Sequence, residues 1–213
     1  GKGQWGREWQ SSVGGLYLSV GISPNLAVQN NVHLVMSTAW GIATILRKYS
    51  LPVSLKWLND LILDGRKLGG IKIETRTQQQ QVNDAVIGVG INWKNSVPRV
   101  GINLQSYYQK TTTIHPISSL EELTAIAVYG ILFGYQYYLE FGINNLLNNY
   151  LKILTTLGKK ITFNGFPGEV IGVSDQGKLK VKFQSSGAST EVYLSPGQIS
   201  LGYDQLIIEN IAK

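Results

Sequence analysis

The sequence lacks cysteine altogether and holds two histidines among its 213 residues. Without cysteine it can form neither disulfides nor thiolate metal sites, and the isolated His33 and His115 cannot form a zinc site alone. It also lacks an apolar run of about 18 residues, which a membrane helix would need, and a charged-then-apolar signal segment at its start. These absences predict a soluble, cytoplasmic protein with no membrane partner.

Positive charge is concentrated in the first third of the chain. The formal net charge is +6, and residues 1–76 hold nine lysines and arginines against four aspartates and glutamates. A basic surplus of this kind suits a partner that carries phosphate, either a nucleotide or a nucleic acid, although it also serves solubility alone.

Apolar periodicity predicts an α+β fold. Residues 15–22 alternate as a half-buried strand, whereas residues 28–48 repeat at three and four as an amphipathic helix. His33 and Trp40 fall on that helix, where we expect packing roles. The pattern predicts further strands, with a hairpin turn at Asp64-Gly65, over residues 52–57, 61–63, 68–76 and 85–92.

The middle of the chain changes from strands to helices. Residues 95–116 show no periodicity and are predicted to form a loop of some twenty residues. Ser118-Ser119-Leu120-Glu121-Glu122 offers a capping box in either of two registers. Helices are expected from there to about residue 140 and over residues 144–157.

Short strands separated by turn residues follow Gly158. Their even spacing predicts a small SH3-like β-barrel and a boundary between domains at 1–157 and 158–213. This part lacks aromatics interleaved with cations, so we do not expect it to bind nucleic acid. The five predicted strands are 160–163, 169–173, 179–183, 191–194 and 198–201.

Polar residues between apolar runs indicate a ligand site in the first domain. Lys56, Asp60 and Lys67 are predicted at strand ends or at a hairpin rim, where half-buried charges must be paired or face a charged ligand. Lysines act as point charges on phosphate oxygens, and Asp60 with Asn92 could hold Mg²⁺ directly or through water. The sequence has no Walker loop, kinase signature or nucleophile elbow, so catalysis would rest on positioning and charge stabilisation.

Four separated stretches carry a resemblance to a known family. The first is Gly1-Lys2-Gly3-Gln4-Trp5-Gly6-Arg7-Glu8-Trp9, and the second is Lys56-Trp57-Leu58-Asn59-Asp60. The third is Lys67-Leu68-Gly69-Gly70-Ile71, and the fourth is Gly88-Val89-Gly90-Ile91-Asn92. In this order they resemble the adenylate loop, the Lys-Trp-Pro-Asn-Asp motif, the active-site lysine segment and the Gly-x-Gly-Ile-Asn strand of the biotin protein ligases.

The resemblance implies a fold and a two-step reaction. The fold is a class II aminoacyl-tRNA synthetase-like core, with a mixed sheet and packed helices, followed by the SH3-like barrel. In the reaction, biotin and Mg-ATP form biotinyl-AMP and pyrophosphate, and a lysine of the biotin carboxyl carrier protein of acetyl-CoA carboxylase then takes the biotinyl group. The protein could be a monomer or a homodimer.

The resemblance also implies residue roles. Lys67 would stabilise charge between the biotin carboxylate and the α-phosphate, and Asp60 and Asn59 would orient the reactants. Trp57 is expected to pack, whereas Lys56 could be a ligand or a structural ion pair. The residues expected to bind biotin or nucleotide are Gly1, Lys2, Gly3, Gln4, Arg7, Lys56, Gly70, Gly88, Gly90 and Asn92.

Several features depart from the family pattern. Lys2 and Gln4 stand where the family usually has arginines, which predicts leakier retention of the adenylate. Leu58 replaces the motif proline, and the family's upstream biotin contacts are missing because the chain starts too late. Two alternatives remain: a related lipoate or octanoate transferase, and a non-enzymatic module that binds nucleic acid.

Overall fold

A computed structural model describes residues 1–6, 8–111, 116–185 and 188–203. Arg7 and His115, both considered above, lie outside the described residues.

A six-stranded sheet forms the centre of the structure. Its strand order is β1-β6-β5-β4-β3, and β2 also pairs with β6. The strands are β1 (Leu16–Ile22), β2 (Leu26–Ala27), β3 (Ser54–Lys56), β4 (Asp60–Leu63), β5 (Arg66–Gln78) and β6 (Gln81–Ile91).

These strands pair antiparallel throughout, so the expectation of a mixed sheet is wrong. Two tight turns explain the direction, since a two-residue turn can join only antiparallel neighbours. Asp64 and Gly65 have φ values of 52° and 67°, as the predicted hairpin requires, and Gln79 and Gln80 have 50° and 62°.

Two long helices pack against one face of this sheet. Helix α1 (Asn31–Lys48) follows a short 3₁₀ turn, and α3 (Leu120–Lys152) crosses it at a point lined by glycines. Trp40 is buried in α1 and stacks on Phe133 of α3, with ring centroids 5.5 Å apart. Its predicted packing role is therefore confirmed.

Helix α3 combines the two helices predicted from the sequence. It begins after Ser119, whose side chain accepts a hydrogen bond from the Glu122 backbone N–H, and this selects one of the two capping registers. It kinks at Gly142, where φ is 74° and ψ is 175°. The second arm ends at Lys152, five residues before the predicted end, and Leu154 is buried beyond it.

The predicted loop over residues 95–116 contains a short helix, α2 (Leu104–Lys110). Asn103 caps it by accepting a hydrogen bond from the Ser106 N–H at 2.7 Å. Leu104 and Tyr108 are its buried anchors. Two anchors one turn apart are too few for a periodic signal, so the sequence interpretation missed this helix.

A second sheet follows α3, and its strands occur in the order β10-β9-β8-β7. All three pairings are antiparallel. The predicted strand over residues 198–201 is not formed, because that segment turns at Pro196-Gly197 and continues without pairing. The strands are β7 (Lys160–Phe163), β8 (Phe166–Val173), β9 (Leu179–Ser185) and β10 (Ala188–Leu194).

Apolar side chains from both sheets and both long helices form one buried cluster. The predicted boundary at residue 157 falls between α3 and β7, and the division into two domains stays a prediction. Among the described residues, no helix is long and apolar enough to cross a membrane.

Alanine at Gly134 is expected to destabilise the protein because the two long helices are in backbone contact there. An added Cβ would collide with the Ser37 carbonyl oxygen and lie 3.0 Å from the Gly41 Cα. We expect Gly134→Ala to lower the free energy of unfolding by about 1–3 kcal/mol, measured by urea denaturation. Gly21→Ala is the control, since a Cβ at Gly21 meets nothing within 4 Å; equal stability of the two variants would contradict this reading.

The free energy of unfolding should also decrease as the pH is lowered, because His33 is buried. Its Nε2 donates to the Asp175 carbonyl at 2.7 Å, so Nδ1 accepts from the Tyr138 hydroxyl at 2.9 Å. Burial, only partly opposed by Asp175, holds the pKa of His33 below 6.5. The unfolded chain therefore takes up this proton first, and stability that is complete above pH 6.5 is lost as the pH falls through the lower, folded-state pKa.

Denaturation of wild type and His33→Gln between pH 7.5 and about 5 measures this effect. We expect the free energy of unfolding to decline more steeply in the wild type. Parallel pH profiles would assign the loss to other groups.

Candidate active site

Residues from separate motifs align in one row across the six-stranded sheet. Lys56 pairs with Asp60, Asp60 with Gly70, and Gly70 with Gly90, which in turn pairs with Tyr17. Directly paired residues of neighbouring strands share a face. We call these five residues the site row, and they lie on the face opposite the apolar core residues of the same strands.

Lys67 is held beside the site row by its backbone. A register shift between β4 and β5 places it opposite Ile62, just before Gly69 and Gly70. Its N–H donates to the Val100 carbonyl, and its own carbonyl accepts from the Ile102 N–H, both at 2.9 Å. These two backbone hydrogen bonds fix the start of β5 against the loop over residues 98–103.

The Lys67 side chain forms an ion pair with Asp60, with 2.7 Å between Nζ and Oδ1. The other carboxylate oxygen of Asp60 accepts a hydrogen bond from the Tyr203 hydroxyl at 2.6 Å. Asp60 is buried, so these two contacts compensate a charge that would otherwise be costly to remove from water. The ammonium of Lys56 lies 3.6 Å from the centroid of the Tyr203 ring.

The remaining residues of the Lys56 to Asp60 stretch have distinct contacts. Asn59 donates from its side chain to the Ile71 carbonyl at 2.6 Å and accepts the Ile71 N–H at 3.0 Å through its own backbone. Trp57 is buried, and its indole N–H donates to the Gly177 carbonyl at 2.9 Å. The predicted packing role of Trp57 is therefore confirmed.

The opening segment folds back on itself over the sheet. Gly1 and Trp9 exchange two hydrogen bonds, and Lys2 bridges to Glu8 in the antiparallel sense. The Trp9 indole then lies on Gly90, where an added Cβ would come within 2.7 Å of its Nε1. The Lys67 ammonium is 5.1 Å from the Trp9 ring centroid, close enough for a cation–π contact.

Three cavities meet at Lys67 and Trp9, which line all of them. The glycine cavity, about 280 Å³, is lined by Gly70, Gly88 and Gly90. The aspartate cavity, about 210 Å³, is lined by Asp60 and residues 196–203 among others. The asparagine cavity, about 260 Å³, is lined by Asn92 and the loop that follows it.

The structure brings together the predicted site residues that it describes, which all line at least one cavity. Those at the glycine cavity are Gly1, Lys2, Gly3, Gln4, Asn59, Lys67, Gly70, Gly88 and Gly90. Lys56 and Asp60 line the aspartate cavity, and Asn92 lines the asparagine cavity. Arg7 lies outside the described residues.

The side chain of Asn92 is engaged within the protein. It donates to the carbonyls of Lys67 and Ile102 and accepts from Asn95 at 3.0 Å. Both carboxylate oxygens of Asp60 are also paired, and the described residues contain no group of three histidine or acidic side chains able to hold a metal. These contacts do not fit direct Mg²⁺ ligation by Asp60 or Asn92.

Sequence reasoning missed two contributors to this arrangement. Tyr203 follows the last predicted strand and is 143 positions from Asp60, so no local pattern could connect them. Trp9 belongs to the first of the four motifs, but its position on Gly90 depends on the fold of the opening segment. Tyr17 did carry a signal, because the alternation of β1 with Leu16 and Leu18 inward places it on the opposite face.

Comparison with known proteins gives consistent matches. The sequence model of the Biotin/lipoate A/B protein ligase family matches residues 1–92. The Bifunctional ligase/repressor BirA of Bacillus spizizenii is 26% identical over 194 residues, which cover 86% of this chain and 59% of that protein. The Escherichia coli protein of the same name is 38% identical over 96 residues, or 43% of this chain and 29% of that protein. The chain spans less than two thirds of the length of these curated relatives.

A solved structure shares the fold. The biotin protein ligase from Aquifex aeolicus in complex with biotin and ATP aligns with a TM-score of 0.71 at 22% identity, covering 95% of this chain and 84% of that one. This likeness agrees with the α+β architecture and the two antiparallel sheets. The sequence-model match, the curated relatives and the shared fold all show that the chain is similar to the biotin protein ligases.

Proposed function

We propose that the protein is an ATP-dependent biotin protein ligase. It activates biotin as biotinyl-AMP and transfers the biotinyl group to a lysine of an acceptor protein, the biotin carboxyl carrier domain of a carboxylase. The chain spans only part of its curated relatives, and the proposed activity refers to the full protein that contains it. The BirA proteins are named as ligases, and the matched Aquifex aeolicus structure holds biotin and ATP.

The observation that carries the proposal is the position of Lys67 where the three cavities meet. On one side the glycines of β5 and β6 leave bare backbone, against which a flat ring system can lie. On the other side lie Asp60 and Lys56. Two substrates that enter from different cavities would therefore have their reacting ends next to one ammonium group.

The first chemical step needs charge stabilisation more than a nucleophile on the protein. A biotin carboxylate oxygen bonds to the α-phosphorus of ATP as the bond to the β-phosphate oxygen breaks, and pyrophosphate leaves with that electron pair. Negative charge builds up on the α-phosphate oxygens. The Lys67 ammonium, held by Asp60 at 2.7 Å, would stabilise this charge.

The second step transfers the acyl group. The unprotonated amine of the acceptor lysine attacks the biotinyl carbonyl carbon, the bond to the AMP phosphate oxygen breaks, and AMP leaves as the amide nitrogen loses a proton. Asp60 and Asn59 line the aspartate cavity, from which we expect this amine to approach. Their role is to orient the incoming amine.

The outer end of the glycine cavity favours biotin over a fatty acid. Lys72 and Glu74 line that end and form an ion pair with 2.8 Å between Nζ and Oε1. The ammonium also holds the pKa of Glu74 below its ordinary value. A polar, uncharged ureido ring can hydrogen-bond to such a pair, whereas the end of an octanoyl or lipoyl chain offers it no hydrogen-bonding group.

We also propose the finer description of the fold. The first domain, residues 1–157, would be a class II aminoacyl-tRNA synthetase-like core, and residues 158–213 would form an SH3-like domain built on the β7 to β10 sheet. The four antiparallel strands in sequential order support the second assignment.

Biotin-dependent exchange of pyrophosphate into ATP by the full protein tests the activity. We expect Lys67→Ala to reduce this exchange by a factor of about 10² to 10³, because the group that stabilises the developing charge is lost. Octanoate or lipoate in place of biotin should give no exchange.

Lys110→Ala provides a matched control, since Lys110 forms an ion pair with Asp64 at 3.8 Å outside the three cavities. Its exchange rate should equal that of the wild type. The proposal fails if saturating biotin gives no exchange, or if Lys67→Ala retains full exchange.

Biotin binding should displace the Trp9 indole, because both would occupy the surface of Gly90. We expect a change in intrinsic fluorescence on biotin addition in the wild type that is much smaller in Trp9→Phe. Trp40, Trp57 and Trp93 are buried and provide a constant background, and Trp5, the fifth tryptophan, is present in both proteins. An equal change in both proteins would mean that Trp9 does not move.

A further inference from the structure

We propose that Tyr203 is a positioning residue of this site: it orients Asp60, and through it Lys67, and holds residues 196–203 over the aspartate cavity. This inference rests on the proposed function. It extends the site to a segment of the chain that none of the four motifs contains.

The first contact is the short hydrogen bond to Asp60. The Tyr203 hydroxyl donates to Oδ2 at 2.6 Å while Lys67 occupies Oδ1 at 2.7 Å, so the two partners hold opposite oxygens of one carboxylate. A carboxylate held at both oxygens cannot rotate about its terminal bond without losing a contact. Hydrogen bonds to a charged acceptor are also the stronger class.

The second contact involves the ring and not the hydroxyl. The Lys56 ammonium lies 3.6 Å from the Tyr203 ring centroid, and the Lys56 side chain is buried with 8% exposure. A cation partly removed from water gains from the negative face of an aromatic ring. Tyr203 therefore contacts both charged ends of the pair that β3 and β4 bring together, Lys56 and Asp60.

The position of the segment makes these contacts part of the cavity wall. The aspartate cavity is lined by Tyr203 together with Pro196, Gly197, Ile199, Ser200 and Leu201. The segment forms no strand of its own. Tyr203 forms a hydrogen bond with Asp60 and a cation–π contact with Lys56 on the opposite wall. Its loss would therefore release the Asp60 carboxylate and weaken the closure of the cavity.

Two substitutions separate the hydroxyl from the ring. Tyr203→Phe keeps the ring over Lys56 and removes the hydrogen bond to Asp60. We expect it to lower kcat of the biotin-dependent exchange about tenfold, as for a lost hydrogen bond to a charged group, with little change in KM for biotin. Combined with Asp60→Asn, it should cause no further loss, because Tyr203 acts through Asp60.

Tyr203→Leu removes both contacts and is followed by a measurement that does not depend on activity. Acetylation of lysines with acetic anhydride, quantified by mass spectrometry, should be several-fold faster at Lys56 in Tyr203→Leu than in wild type or Tyr203→Phe. Unfolding curves of each variant verify that it is folded.

Tyr193 supplies the matched controls. It lies on β10 with 48% exposure, and the Lys180 ammonium is 5.8 Å from its ring centroid, outside the three cavities. Tyr193→Phe should leave the exchange unchanged, and Tyr193→Leu should leave Lys56 acetylation unchanged.

The outcomes are distinguishable from those of the proposed function. Absence of exchange in the wild type overturns the ligase activity, and the acetylation of Lys56 then still decides the contact. The positioning role is overturned if Tyr203→Phe matches Tyr193→Phe in kcat, if its effect multiplies with that of Asp60→Asn, or if Tyr203→Leu leaves Lys56 acetylation at the wild-type rate.

Discussion

Antiparallel pairing aligns β4, β5 and β6 so that one row of directly paired residues forms the site, and the adjacent row faces the apolar core. Leu61 pairs with Gly69 and Gly69 with Ile91, and both apolar side chains are fully buried. A slip of one residue would turn the site row inward and expose these apolar residues, which the burial energy opposes. The positions of Asp60 and Gly90 therefore follow from the packing of the opposite face.

The charges of the site are balanced locally. Asp60 is compensated by Lys67 and by the Tyr203 hydroxyl, and Lys56 by the Tyr203 ring. Removing one partner of a buried group costs more than the pair itself contributes, because the remaining charge is left without compensation. These residues consequently behave as a unit. The segment over residues 196–203 is therefore as much a part of the site as the motif residues on the strands.

The sequence predicted the parts of this site that depend on local pattern. Alternation placed β1, the Asp64-Gly65 turn marked the β4 to β5 hairpin, and the fourth motif placed Gly88 and Gly90 among the ligand contacts. The motif order indicated that Lys67 and Asp60 act together, and they lie 2.7 Å apart. The contact of Tyr203 with Asp60 spans 143 positions and the capped helix α2 has two anchors, so neither produces a periodic signal.

Glycine at position 90 has two consequences that belong together. The absent side chain leaves a surface flat enough for a ligand ring, and the Trp9 indole occupies that surface in this structure, closer than any Cβ would allow. The indole N–H has no hydrogen-bond partner among the described residues, so the Trp9 ring makes an apolar contact with Gly90 while its N–H group stays unpaired. A ligand that replaces the indole can restore an equivalent apolar contact while the N–H regains a partner, and the opening segment is thereby suited to exchange places with a substrate.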